Sequence, residues 1–181
     1  MNKQENLVWI DLEMTGLDAS HDVLLEIATI ITDKDLNILA KTPSIIIHQS
    51  DDKLKKMKPV VENLHNTSGL IKKVQEATTT VQEAEQETIN LIKKYCLPNT
   101  NPLCGNSVWQ DRIFLAKYMP SIIDFLHYRI IDVTSFKEVI TRWYPKNPHA
   151  FFKKKDTHRA LEDIKESIEE LKQYRTHFFQ K

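Results

Sequence analysis

Asp11 and Glu13 stand two residues apart in VWIDLEMTGL (residues 8–17), a stretch that is otherwise apolar up to its Thr-Gly turn. In an extended strand the two carboxylates share one face, while Ile10 and Leu12 share the other. A strand apolar on both faces reads as central, and a carboxylate there is costly unless paired or metal-bound. A third acid, Asp111 in CGNSVWQDRIFL, falls by helical spacing on the apolar face with Phe114, Leu115 and Tyr118. The fourth is Asp163, at the border of an apolar stripe in the last helical segment, with His158 five residues before it. Five helical steps rotate a side chain by about 140°. His158 therefore projects from a loop or first turn, over whatever the acids hold. Carboxylates converging from three segments make an oxygen-rich site suited to two hard cations, Mg²⁺ or Mn²⁺, rather than zinc. Such a pair, about 3.5–4 Å apart, suits in-line displacement at phosphorus, with His158 taking the proton of the attacking water. The implied chemistry is phosphodiester hydrolysis.

Taken singly, each residue has an ordinary explanation. Two acids at i, i+2 are most often incidental, Asp111 could pair with Arg112, Asp163 could be a surface charge, and His158 a helix cap. Their joint occurrence in this order is what singles them out.

The elements that must position these groups can be read from periodicity. Residues 7–13, 25–32 and 36–48 are rich in Val and Ile, with DKDLN (33–37) as a turn, and predict a three-stranded meander. VQEAEQETINLIKKYC (81–96) puts apolar residues at three- and four-residue steps and predicts a helix over one sheet face. Short strands at 101–105 and 129–133, each followed by a helical pattern (108–118 and 134–143), imply crossover helices and parallel pairing. A last amphipathic helix spans about 159–176, with Asp156 or Thr157 as candidate N-cap. The sum is an α/β fold of about five strands, flanked by helices.

With 181 residues, no internal repeat and no Pro/Gly-rich linker, one continuous domain, 1–181, is expected. Lys plus Arg (25) balances Asp plus Glu (25), so no net field favours a long nucleic acid, although a short anionic ligand remains compatible. The N-terminus has no signal-peptide pattern and no stretch is long and apolar enough for a membrane span, which makes the cytoplasm the default. Cys96 and Cys104 lack C-x-x-C spacing and read as buried reduced thiols.

The three stretches WIDLEMTGL, CGNSVWQDRIFL and THRALED resemble the exonuclease motifs of the DEDDh superfamily, and His158 selects its histidine branch. IHQSD, HNTSGL, HYRIIDVTS and the long final segment extend the likeness along the chain, to the oligoribonuclease family. The resemblance implies a ribonuclease-H-like mixed five-stranded sheet and a homodimeric 3′-to-5′ exoribonuclease that degrades very short RNA oligonucleotides, dinucleotides above all, to 5′-mononucleotides. It makes Asp11, Glu13, Asp111 and Asp163 metal ligands and His158 the general base. It also makes Ser107, Arg129 and Thr134 a cap on the substrate's 5′ phosphate, with His65 supplied by the partner subunit, and Leu17 a wedge between the bases. Arg129 offers phosphate a planar fork of donors, and the hydroxyls add hydrogen bonds. One departure stands out: Val60 in MKPVVENLHN occupies the place where the family pattern calls for an aromatic residue stacking on a base, a contact worth about 1–3 kcal/mol.

Other features read as ordinary. Lys153, Lys154 and Lys155 suggest a solvated loop, Trp109, His127 and Tyr128 suggest packing or dimer contacts, and Glu162 is a decoy for Asp163. Two rival functions have some support in the residues. D-x-E-x-T after a first strand also resembles the nucleophile motif of haloacid-dehalogenase phosphatases, but that scheme wants a second Asp at Glu13 and gives His158 no role. A nucleic-acid-binding module that has lost catalysis would lack a metal ligand or the base, and none is missing.

Overall fold

The computed structural model describes residues 2–154 and 158–179. Strands β1 (Leu7–Met14), β2 (Leu24–Thr32) and β3 (Ile38–Lys41) form the expected antiparallel meander, and the two-residue β4 (Ile45–Ile46) pairs with β2 beyond the end of β3. Helices α1 (Asp51–Leu54), α2 (Pro59–Thr67), α3 (Leu70–Glu76) and α4 (Val81–Tyr95) follow. The chain then alternates: β5 (Leu103–Gly105), α5 (Trp109–Tyr118), α6 (Pro120–Phe125), β6 (Ile130–Asp132), α7 (Val133–Trp143) and α8 (Ala160–Phe178). The sheet order is β3-β2-β1-β5-β6, with β1, β5 and β6 parallel and β1 central.

The mixed α/β sheet flanked by helices agrees with the sequence reading, with six strands in place of about five. The extra strand arises because the single run anticipated at 36–48 breaks at Pro43, which has no N–H to donate, leaving β3 and β4 on either side. The helices between residues 51 and 76 had no counterpart in that reading. Their apolar residues are few, and Leu54, Met57, Leu70 and Val74 gain a helical stripe only by packing around Leu25 of β2. The proposed N-caps Asp156 and Thr157 lie outside the described residues; α8 starts after Arg159, whose side chain makes no cap hydrogen bond.

Strand alternation sorts β1 between two layers. Val8, Ile10 and Leu12 pack with Ala84, Ile89 and Ile92 of α4 and Phe114 and Leu115 of α5. Trp9 faces the other way, toward Ile140 of α7 and Ala160, Ile164, Ile168 and Tyr174 of α8. Asp11 and Glu13 continue the Trp9 face, so they open toward α8 near its N-terminus. Among the described residues no helix is long and apolar enough to cross a membrane.

Candidate active site

Because β1, β5 and β6 are parallel, their carboxyl ends point to one edge of the sheet, where open α/β sheets place their ligands. Asp11 and Glu13 arrive there from β1, and Asp163 comes down from the first turn of α8. One carboxylate oxygen from each of the three lies within 4.8 Å of the others. Asp111, on α5, is 7% exposed and is fixed by the chain it faces: its Oδ1 accepts a hydrogen bond of 3.0 Å from the Leu12 amide, between the two β1 acids. The three-segment convergence anticipated from the sequence is therefore present, with Asp111 adjoining rather than completing the tight group.

The electrostatics of so many acids are unfavourable. Burial, then Asp111, Glu13 and Asp163, push the Asp11 carboxyl well above the usual range. Burial, then Asp163 and Glu26, push Glu13 up to about 8. Burial raises Asp111 to about 8 against the opposing pull of the Leu12 amide. Asp163 is raised by burial and then Glu166, and drawn down by His158 and Lys154. A hard divalent cation would relieve this strain directly, and a donor set made only of carboxylate oxygens matches Mg²⁺ or Mn²⁺. The residues present thus fit the metal centre that the motif implies.

His158 lies outside α8, two residues before its first turn, with a left-handed backbone (φ 49°) that a non-glycine residue rarely adopts. It projects from the loop, as the 140° argument requires. The next residue, Arg159, makes a two-pronged ion pair with Glu26 of β2: Nε donates to Oε2 and Nη2 to Oε1, both at 3.0 Å. Glu26 is 0% exposed and sits directly across the β1–β2 ladder from Glu13. Neither Glu26 nor Arg159 was marked by the sequence, because an acid inside the apolar run LLEIATIIT has no visible partner until residue 159 is brought beside it. Lys154 departs from the solvated-loop reading: its Nζ is 3.8 Å from the buried Glu170 of α8, and its charge lowers both Asp11 and Asp163. Lys153 is exposed, and Lys155 is outside the described residues.

Ser107 and Thr134 come together at the ends of β5 and β6. The Ser107 amide, held at φ 49°, donates to Asp132 Oδ1 (2.9 Å) and Thr134 Oγ1 (2.8 Å), and the two hydroxyls are 3.2 Å apart. Asp132 also caps α7 by accepting from the Thr134 amide. Asn106 joins this pair to α8, since its Oδ1 accepts from Thr134 Oγ1 and its Nδ2 donates to Ser167 and Glu170. Arg129 stands at the other end of β6, exposed, with its guanidinium 5.4 Å from the Tyr128 ring centre. Tyr128 and Trp109 are exposed, and His127 stacks on Tyr128.

His65, expected to be supplied to the cap by a partner subunit, lies against the acids of its own chain. In its own chain it is 1% exposed; its Nε2–H donates to the Met14 carbonyl at 2.8 Å, and Nδ1 lies 3.9 Å from Glu13 Oε2. Burial lowers its pKa, and Nδ1 is left without a hydrogen-bond partner beside the acids. The physical reason is α2, which lays its buried edge over the end of β1 so that His65 faces inward.

Leu17 is 72% exposed yet held. Asp22 accepts from Thr15 Oγ1 (2.9 Å) and the Asp18 amide (3.0 Å), so close to Gly16 that a Cβ there would collide with the carboxylate. Gln110 Nε2 donates to the Leu17 carbonyl at 2.6 Å. An apolar side chain is thereby offered to solvent from a braced turn, at the wall of a cleft of about 620 Å³ that also meets His21, Lys56, Lys58 and Val61. Val60, next along α2, is 81% exposed and brings no aromatic face to this wall.

Comparison with known proteins agrees with this geometry. The family model described as Exonuclease matches residues 8–171. Oligoribonuclease of Actinobacillus pleuropneumoniae is 52% identical over 174 residues, covering 96% of this chain and 94% of the relative. Oligoribonuclease of Pseudomonas syringae is 49% identical over 178 residues, covering 98% of each chain. Among solved structures, E. coli exonuclease I in complex with a dT13 oligonucleotide superposes with TM-score 0.72 at 14% identity, over 95% of this chain but 41% of that enzyme. A zinc-bound exonuclease I–ssDNA complex from E. coli gives TM-score 0.71 at 14% identity, over 97% and 41%. That likeness fixes the fold as ribonuclease-H-like. With the acids of β1, α5 and α8 at one sheet edge and half of all residues shared with full-length relatives, the chain belongs to the oligoribonuclease family of 3′-to-5′ exoribonucleases.

Proposed function

We propose that this chain is a single exonuclease domain, 1–181, that hydrolyses very short RNA oligonucleotides, dinucleotides above all, from the 3′ end to 5′-mononucleotides. The observation that carries the reading is the cluster of Asp11, Glu13 and Asp163 oxygens, within 4.8 Å of one another, beside His158. Asp11, Glu13, Asp111 and Asp163 would hold two divalent cations, Mg²⁺ or Mn²⁺. Bound there, these cations neutralise the phosphodiester charge and make water easier to deprotonate. His158 takes the proton of the attacking water. Leu17 separates the bases from its braced turn, and Ser107, set against Thr134, donates a hydrogen bond to the 5′ phosphate; Arg129, which the resemblance adds to this cap, stands at the other end of β6 within one chain.

The test is length-resolved kinetics on 5′-labelled RNAs of two to seven nucleotides. Mononucleotides are expected with Mg²⁺ or Mn²⁺ and none with chelator, and the dinucleotide should exceed the heptamer in kcat/KM by about tenfold or more, the worth of one well-formed charged contact. Equal rates on a dinucleotide and a long RNA would remove the phosphate cap.

The reading includes a homodimer. Trp143 and Phe179 are exposed beside an apolar groove of about 340 Å³ formed with Phe136, Val139 and Phe178, the kind of uncovered surface that marks an interface. In sedimentation velocity the wild-type chain is expected at twice its 21.2 kDa mass, with Trp143→Glu displaced toward monomer. A wild-type monomer at micromolar concentration would defeat this part of the reading.

A further inference from the structure

We propose that Glu26 and Arg159 are positioning residues for His158, an inference that rests on the general-base role given to His158 above. Three observations carry it. The first is the two-pronged geometry, both hydrogen bonds at 3.0 Å, which fixes the plane of the guanidinium as well as its distance. The second is adjacency: Arg159 follows His158 directly, and His158 holds a left-handed backbone that is uncommon outside glycine, next to a residue whose side chain is anchored. The third is the anchor, since Glu26 is fully buried on a central strand opposite Glu13, so the loop is referenced to the strand that carries two of the acids. Arg159 also accepts, on its carbonyl, the amides of Glu162 (2.9 Å) and Asp163 (3.0 Å). Those two bonds are made by the backbone and persist in Arg159→Lys, so the side-chain change acts on the anchor beside His158 alone.

An ion pair with one fully buried partner is a poor choice for stability alone, because desolvation of that charge offsets much of the attraction. It is a good choice for orientation. A base displaced by about 1 Å loses on the order of a hundredfold in rate. Arg159→Lys keeps the charge and loses the fork, so kcat on a dinucleotide is expected to fall by about thirty- to a hundredfold with KM held within about threefold. Glu26→Gln/Arg159→Gln leaves no buried unpaired charge, guards against simple misfolding, and is expected to show the same fall. Amide hydrogen exchange of chelator-treated protein gives a readout free of metal and turnover: amides 158–163 should exchange faster in Arg159→Lys while β1 and β2 keep their protection.

The decisive arm adds His158→Ala. If Arg159 acts through His158, then Arg159→Lys should cost less than about twofold more once His158 is already alanine. Full additivity in that cycle, or unchanged kcat in both Arg159 variants, overturns the positioning role while leaving the base intact. Wild-type turnover in His158→Ala alone overturns the base assignment and the inference together.

Discussion

Asp11→Asn is expected to lower kcat by at least about a thousandfold while making the metal-free chain more stable. The two effects share one cause. Asp11 lies among Asp111, Glu13 and Asp163, and its carboxyl is pushed far up by burial and by those three neighbours. Asparagine has nearly the same shape, keeps an oxygen, and replaces a carboxyl that the metal-free fold accommodates near neutral pH by binding a proton. In the metal-free protein about 1 kcal/mol saved by not having to protonate that group corresponds to roughly 2–4 °C in Tm for a chain of this size. In the loaded enzyme the same change removes a charged ligand, and a loss of about 4 kcal/mol of transition-state stabilisation is the thousandfold drop. Turnover and chelated Tm should be measured on one preparation. A variant that retained a tenth of the activity would remove Asp11 from the metal site, and a lower metal-free Tm would show that its charge is compensated by another route. Such opposition between stability and activity is characteristic of sites that concentrate like charges.

The second large effect is on pH. In the metal-free protein Glu13 and Asp111 both titrate at about 8, whereas carboxylates in an unfolded chain titrate near 4. Folded-state values raised above unfolded ones mean that the folded chain binds more protons in between. Stability contributed by these groups is therefore full below about pH 4 and is lost as pH rises through about 8. Between pH 5 and 8 the metal-free Tm should fall with increasing pH, and Asp11→Asn should flatten the slope. Added Mg²⁺ or Mn²⁺ must displace those protons, so the stabilisation it gives should grow over the same range. Calorimetry in buffers of different ionisation heat would read the protons released, most near neutral pH and few by pH 9. A metal-free Tm independent of pH across this window would contradict the assignment of these acids to one buried cluster.

How much of this could be read from residue types alone differs by segment. The acids on β1 were legible because alternation is a property of any strand, and two carboxylates on one face of an apolar strand conflict with burial whatever surrounds them. Asp111 was legible for the same reason at helical period. The path of residues 51–76 was not, since short helices with mixed faces are stabilised by the surface they land on, here the flank of β2 around Leu25. Pro43 marked the break between β3 and β4, yet the Val- and Ile-rich run on either side concealed it. His65 carried its side-chain chemistry in plain view, but its inward orientation depends on where α2 crosses the end of β1.

The supporting residues show the same division more sharply. Gln110 on the Leu17 carbonyl, Asn106 between Thr134 and Glu170, and Arg159 on Glu26 are all polar groups whose partners lie far away in sequence or on another element. The sequence by itself determined the ligand chemistry, the order of the motifs and the α/β alternation, because these follow from side-chain type and local period. Only the tertiary structure decided which acids meet within one site, what holds His158 at its rim, and which way His65 faces. Those depend on strand register and helix docking across separations such as the 133 residues between Glu26 and Arg159, at which no local pattern carries information.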